Sequence, residues 1–258
     1  MTTPRVRAHF LVIGAQRCGT TYLHELLADH PDIAMARPYR PEPKVFLSDE
    51  VVDRGVEWYR DNWFAHAGPT ALLGEKSTSY LESPEAAARI TTVLGRPRIV
   101  VQLRDPVARA MSNWGFSRSH GLEQRPLAEA LADNLQGPLP WDPQVTSVSP
   151  FAYLERGRYA EQLGPWLDAF GDLVRVQFLE DLVEDPDRIG ELYGWLGVDA
   201  DFRPDSLGEP VNQGDEAEDR LDDDLVRRLR DYYQESDRAL AGLLDRELPW
   251  PDPVGGAR

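Results

Sequence analysis

A glycine-bracketed turn carries the first residues able to do chemistry. It reads Gly14-Ala-Gln-Arg-Cys-Gly-Thr-Thr21, with a cation, Arg17, inside it and two hydroxyls, Thr20 and Thr21, directly after Gly19. A turn of this kind, leading from a strand into a helix, offers free backbone N–H groups and the positive end of a helix dipole, which together bind phosphate. The spacing of Gly14 and Gly19 is that of a nucleotide-hydrolase phosphate loop. That motif continues with lysine and Ser/Thr, which serve the terminal phosphates and magnesium; here threonines follow instead. The loop suits one phosphate and is poorly equipped for a triphosphate with its metal. Cys18 reads as a small packing residue, because a lone cysteine with no placed base is weak grounds for a nucleophile.

Among 28 basic residues only Lys44 and Lys76 are lysines. In a chain so biased towards arginine, lysine is expected where a compact or titratable ammonium matters, with chance survival as the alternative. Lys44 lies in Glu42-Pro-Lys-Val-Phe46. An extended chain puts the carboxylate of Glu42 and this ammonium on one face, able to enter one pocket; an exposed loop ion pair of little worth is the competing reading. Lys76 lies in Gly74-Glu-Lys-Ser77 at the end of an apolar run. Strand ends are where open α/β sheets bind ligands, which places Glu75, Lys76 and Ser77 well.

Arg104 follows another apolar run and can fork onto an anion. Ser112 reaches that anion only if its helix lies alongside. Arg109 has a structural reading, an i,i+4 pair with Asp105 worth about 0.3 kcal/mol. None of the five histidines has the spacing of two metal ligands on one helix face, so no metal is expected. No Gly-x-Ser-x-Gly turn supports a Ser-His-Asp site. His24 reads as a helix-surface residue, and His120 as a loop residue able to touch an acceptor.

These residues need an α/β frame to position them. Residues 10–13 are the right length for a buried strand, and Tyr22, Leu23, Leu26 and Leu27 recur at helical spacing behind the turn. Residues 31–35 lead into a Pro-rich connection over 37–43. An aromatic helix is expected over 51–64, a strand running into a polar loop over 71–80, and a helix start at Ser83-Pro84. The clearest strand is 98–103, followed by Asp105 as cap and Pro106 as first helical residue. Residues 136–150 read as a long surface loop, 151–170 as helix, 173–179 as strand, and a further helix ends near Gly197. A polar loop over 199–220 precedes a last helix over about 221–246, with Asp222, Asp223 and Asp224 favouring its N-terminal dipole.

Length and charge bound the rest. At 258 residues and 41% hydrophobic, the chain suits a single domain over 1–258 with a sizeable core. No apolar run approaches the roughly 20 residues of a membrane span, and the N-terminus does not read as a signal peptide. One cysteine agrees with a reducing cytoplasm. A formal charge of −16 argues against nucleic acid and anionic membranes, so an anionic ligand needs a local basic pocket.

The ordered series Ile13-Gly-Ala-Gln-Arg-Cys-Gly-Thr-Thr-Tyr-Leu23, Glu42-Pro-Lys-Val-Phe46, Gly74-Glu-Lys-Ser77 and Leu103-Arg-Asp-Pro106 with Arg109 and Ser112 resembles the sulfotransferases that use 3'-phosphoadenosine 5'-phosphosulfate (PAPS). Arg158-Tyr-Ala-Glu-Gln-Leu163 and Phe178-Leu-Glu-Asp-Leu182 add to it. Bacterial members and the glycosaminoglycan sulfotransferase branch are the nearest in look. The resemblance implies a central parallel sheet flanked by helices, with the phosphosulfate loop over 14–21 and a 3'-phosphate segment over 104–112. Arg17, Cys18, Gly19, Thr20 and Thr21 would line the first loop, while Arg104 and Ser112 would hold the 3'-phosphate. Glu42 would be general base on an acceptor hydroxyl and Lys76 would sit by the transferring sulfuryl group. The acceptor would be a sugar or a hydroxylated natural product, and the product 3',5'-adenosine bisphosphate (PAP).

Two departures stand out. Relatives often have lysine where Arg17 stands, and arginine is a poor donor of protons; Lys44 or Lys76 is the better candidate for that task. Relatives also close a late basic loop over the 3'-phosphate, whereas the corresponding stretch here, about 203–220, is mostly acidic. Two further readings stay open, a nucleotide-dependent phosphotransferase and a non-catalytic anion-binding relative.

Overall fold

The computed structural model describes residues 8–69, 71–142, 149–208 and 221–251. Its elements in chain order are β1 (His9–Gly14), α1 (Thr20–Asp29), β2 (Ile33–Met35), α2 (Glu50–Trp63), β3 (Leu72–Lys76), α3 (Pro84–Leu94), β4 (Arg98–Leu103), α4 (Pro106–Ser119), α5 (Leu127–Asn134), α6 (Tyr159–Phe170), β5 (Val174–Phe178), α7 (Leu179–Glu184), α8 (Ile189–Leu196) and α9 (Asp223–Leu244). The five strands form one parallel sheet in the order β2-β3-β1-β4-β5. Parallel neighbours cannot be joined by tight hairpins, so helical crossovers flank the sheet. The architecture is the expected α/β one.

Strand β1 lies in the middle, with β3 on one side and β4 on the other. The chain leaves β1 towards β2 and later crosses to β4, so the carboxyl ends of β1 and β4 form a switch point of the kind where such sheets bind ligands. The glycine turn begins there, tied across by the Ala15 N–H donating to the Gln102 carbonyl at 2.8 Å.

Contacts divide the chain into two compact units, one of Met1–Leu103 with Pro165–Val211 and one of Arg104–Gly164 with Asn212–Arg258. In the first, the apolar face of α1 (Tyr22, Leu23, Leu26, Leu27) packs with Phe10 and Val12 of β1 and with Leu192 and Leu196 of α8. Fully burying each such side chain is worth about 1.5–3 kcal/mol. Gly74 is part of that fit: a Cβ there would stand 2.3 Å from the Phe10 ring and 2.6 Å from the Met35 sulfur. In the second unit, Trp114, Leu131, Tyr153, Leu229 and Tyr233 are among the core residues. No helix among the described residues is long and apolar enough to cross a membrane.

Three boundaries differ from expectation. The stretch before the Pro-rich connection contains the short strand β2. The helix expected over 151–170 begins only at Tyr159, because Asn134 Oδ1 accepts from the amides of Tyr153 and Leu154 and holds that stretch in turns. The last helix runs over Asp223–Leu244 where about 221–246 was expected, because Asp222 caps it, its side chain accepting from the Leu225 N–H at 2.7 Å. Within the expected loop over 136–150, residues 143–148 lie outside the described residues, as do 209–220 of the late acidic loop.

Candidate active site

The turn after β1 puts two residues in left-handed backbone, Arg17 at φ 68° and Gly19 at φ 73°. For Arg17 this conformation carries a steric cost of the sort found at ligand clamps. Gly19 needs its missing side chain twice over: an added Cβ would sit in left-handed backbone and 2.7 Å from Leu179. Gly19, the N-cap of α1, has no side chain to cap it, and the first turn has no acidic residue, an N-terminus whose dipole favours an anion. Thr20 is buried and Thr21 half-buried at that end. The loop is held from behind, with Gln102 Nε2 donating to the Cys18 carbonyl at 2.7 Å and Gln177 donating to Gln102 Oε1 at 2.9 Å. Gln16 reaches Ser79 Oγ at 3.3 Å. The Cys18 thiol is buried and turned to the Gln16 carbonyl, as a packing residue would be.

Glu42 and Lys76 meet. Lys76 Nζ donates to Glu42 Oε1 at 2.8 Å, and the Thr78 N–H donates to Oε2 at 2.9 Å. The Thr78 hydroxyl is 2.9 Å from Oε2. Side-chain exposure is 5% for Lys76 and 17% for Glu42, so the pair is largely sheltered while the carboxylate keeps an opening. A carboxylate so fixed can accept a proton, and the ammonium beside it can stabilise negative charge. The extended run expected through Glu42 and Lys44 is broken at Lys44. Lys44 has left-handed backbone, φ 52°, which ends the alternation, and its N–H donates to Ser77 Oγ at 2.8 Å.

Glu75, next to Lys76 on β3, takes the opposite face as strand geometry requires. It is fully buried and does not line a strand-end opening, contrary to expectation. Its Oε1 accepts from Ser77 Oγ at 2.7 Å and from the Tyr80 hydroxyl at 2.5 Å, and its Oε2 from the Tyr59 hydroxyl at 2.6 Å. Burial pushes the Glu75 carboxyl above the usual range, against the pull of these hydroxyl bonds. Burial first, and then the Glu75 charge, push both phenols well up.

His24 is not a surface residue. It is 5% exposed, with its ring stacked on Tyr39 at 4.5 Å between centroids. Burial, followed by the charges of Lys76 and Arg40, lowers its pKa to about 4, so the imidazole is neutral at pH 7. His24, Met35, Arg37, Tyr39 and His66 help to line a cavity of about 360 Å³ beside β2.

In the second unit Arg104 opens the segment after β4, half-buried, its carbonyl accepting from the Tyr159 hydroxyl at 2.8 Å. Asp105 caps α4 by accepting from the Val107 N–H at 2.8 Å, as expected, and is also gripped by Arg230 of α9 on both carboxylate oxygens. Arg109 is fully buried and donates to Asn113 Oδ1 at 3.2 Å and to the Tyr153 carbonyl, a helix-locking role in place of the surface pair expected with Asp105. Ser112 is half-buried on α4. His120 is exposed at the end of α4 with its ring 4.1 Å from that of Phe116. Arg203 is bound to Asp187 at 2.8 Å.

Sequence reading missed Thr78, Gln102 and Arg230. A glutamine in the apolar run of β4 was a signal for Gln102; no local pattern marks the others.

Residues 7–223 match the family model described as a sulfotransferase domain, a span that takes in residues of both units. The chain is 26% identical over 272 residues to heparan sulfate glucosamine 3-O-sulfotransferase 3B1 of Homo sapiens, covering 93% of this chain and 64% of that protein. It is 30% identical over 272 residues to heparan sulfate glucosamine 3-O-sulfotransferase 6 of Homo sapiens, covering 93% of this chain and 72% of that one. The chain thus spans under two thirds of the length of several of these relatives. A sulfotransferase from Alicyclobacillus acidocaldarius has a similar solved structure, with TM-score 0.73 and 26% identity over 95% of this chain and 98% of that one.

Proposed function

Since the chain belongs to the sulfotransferase family, we propose that it transfers the sulfuryl group of PAPS to a hydroxyl of a sugar or a hydroxylated natural product. The observation that carries this reading is the Glu42 carboxylate held by Lys76 and Thr78, in the same unit as a helix N-terminus free of acidic residues. A sugar as acceptor is supported by the glucosamine named in the relatives.

In the proposed reaction Glu42 removes the acceptor proton as the hydroxyl oxygen attacks sulfur. The bond between sulfur and the 5'-phosphate oxygen breaks, and the electron pair stays on that oxygen, giving PAP. Arg17, Lys76 and the loop amides with Thr20 and Thr21 stabilise the departing charge. Once Glu42 is protonated, Lys76 loses its anionic partner and its charge is available to the leaving phosphate. Lys44 or Lys76 supplies any proton the leaving group takes, because arginine stays charged. Arg104 and Ser112 hold the 3'-phosphate, and His120 touches the acceptor. The whole chain acts as one sulfotransferase domain. No metal takes part, and the cytoplasm is the proposed compartment.

Screening hydroxylated acceptors with isotopically labelled PAPS tests the reading. A sulfate ester formed by the native chain, and lost in Glu42→Gln with PAP binding retained, is the expected result. Transfer unchanged in Glu42→Gln removes Glu42 as base.

A further inference from the structure

We infer that Glu75 is the positioning carboxylate of the segment that carries Glu42. This rests on the reading of Glu42 as base, yet its geometry stands by itself. Two backbone amides of that segment end on hydroxyls: the Lys44 N–H donates to Ser77 Oγ at 2.8 Å and the Phe46 N–H to the Tyr80 hydroxyl at 3.1 Å. A hydroxyl has one hydrogen. Each therefore receives from the loop and passes its own hydrogen to the same atom, Glu75 Oε1, at 2.7 and 2.5 Å.

The direction of both relays is fixed by the acceptor at their end. Oε1 takes both, and Oε2 takes the Tyr59 hydroxyl of α2 at 2.6 Å, so one buried carboxyl ties β3, α2 and the base-bearing segment together. The Phe46 ring packs edge-on to Tyr59 and Tyr80, with centroids 5.3 and 5.8 Å away, and shields the network. Within the segment the relays secure the left-handed turn at Lys44 and the short 3₁₀ turn Val45–Leu47. Glu42 enters that turn two residues earlier and, on the other face of β3, meets Lys76. Neighbouring residues of one strand thus do separate tasks: Lys76 engages the carboxylate of Glu42, and Glu75 fixes the backbone that delivers it.

The test removes single hydroxyls with Tyr80→Phe and Ser77→Ala, and changes the acceptor with Glu75→Gln and Glu75→Leu. Hydrogen exchange at the Lys44 and Phe46 amides is the readout independent of activity. Faster exchange at Phe46 in Tyr80→Phe and at Lys44 in Ser77→Ala supports the inference; unchanged protection at both overturns it. For turnover, kcat lowered about tenfold per relay, as for a lost hydrogen bond of about 1.4 kcal/mol, with donor KM unchanged, supports it. Glutamine can accept both relays through its amide oxygen, so Glu75→Gln retains most of kcat where Glu75→Leu does not. Equal losses in the two, or donor affinity falling in step with kcat, overturn it. Should Glu75→Leu fail to fold, the two hydroxyl deletions still decide. If Glu42→Gln leaves turnover intact, the base reading fails, and amide exchange alone then judges Glu75.

Discussion

Lys76 Nζ stands 2.8 Å from Glu42 Oε1, across a sequence separation of 34 residues, and both side chains are mostly sheltered from water. Breaking a sheltered ion pair from one side leaves a charge uncompensated and costs about 3 kcal/mol. Lys76→Met and Glu42→Gln are therefore each expected to lower stability, with the double variant losing clearly less than the sum. Turnover is expected to fall about 10²–10⁴-fold in Glu42→Gln. Denaturant unfolding of the four proteins and steady-state rates check both; strictly additive stabilities would show that the two residues are not coupled.

Arg17 sits in left-handed backbone within the loop. If it clamps the phosphosulfate end of the donor, Arg17→Ala loses charge-assisted hydrogen bonds of about 1.5–3 kcal/mol, and PAP binds roughly 10–150-fold more weakly. Arg17→Lys keeps the charge and restores a group able to donate a proton, so it retains more turnover than Arg17→Ala. Calorimetric titration with PAP measures the first, and initial rates the second. An unaltered dissociation constant in Arg17→Ala removes this residue from the site.

Gly19→Ala introduces a Cβ at φ +73° and 2.7 Å from Leu179. The left-handed conformation alone costs an alanine about 1 kcal/mol or more, which in a chain of this size lowers the melting temperature by roughly 2–4 °C. Thermal unfolding is the check, and an unchanged melting temperature would mean that the loop relaxes freely.

His24 gives a pH dependence. Its pKa is about 4 in the folded chain against 6.5 unfolded, so between these values the unfolded state binds the proton and the folded state does not. The contribution is therefore present above pH 6.5 and is lost as pH falls towards 4, by on the order of 3 kcal/mol. His24→Leu removes this titration and flattens the stability curve over that window. Urea unfolding at pH 7 and at pH 4.5 measures it; equal slopes in the two proteins would contradict the burial of a neutral imidazole.

What could be read from the sequence was whatever is written in consecutive residues. β4 matches its expected 98–103 because six residues of strand pattern end at a capping Asp105 and a Pro106 that starts the helix. The glycine turn after β1 was legible for the same reason, with glycine, cation and hydroxyls adjacent along the chain. The Glu42–Lys76 pair was only half legible. Both residues could be chosen by type, but the left-handed turn at Lys44 is imposed by Ser77 and Tyr80 from the next segment, and no local pattern encodes it. His24 looked like a surface position because helical spacing does not reveal that Tyr39 folds over it. The start of α6 was misplaced because Asn134, from another helix, takes the amides of 153 and 154.

The most direct test asks which nucleotide anion steadies the fold. A melting-temperature shift with PAP in the absence of magnesium, growing with concentration towards the roughly 2.7 kcal/mol expected at 100 times the dissociation constant and reduced in Arg17→Ala, is the predicted result. Stabilisation by ATP that requires magnesium, with no response to PAP, would contradict the account.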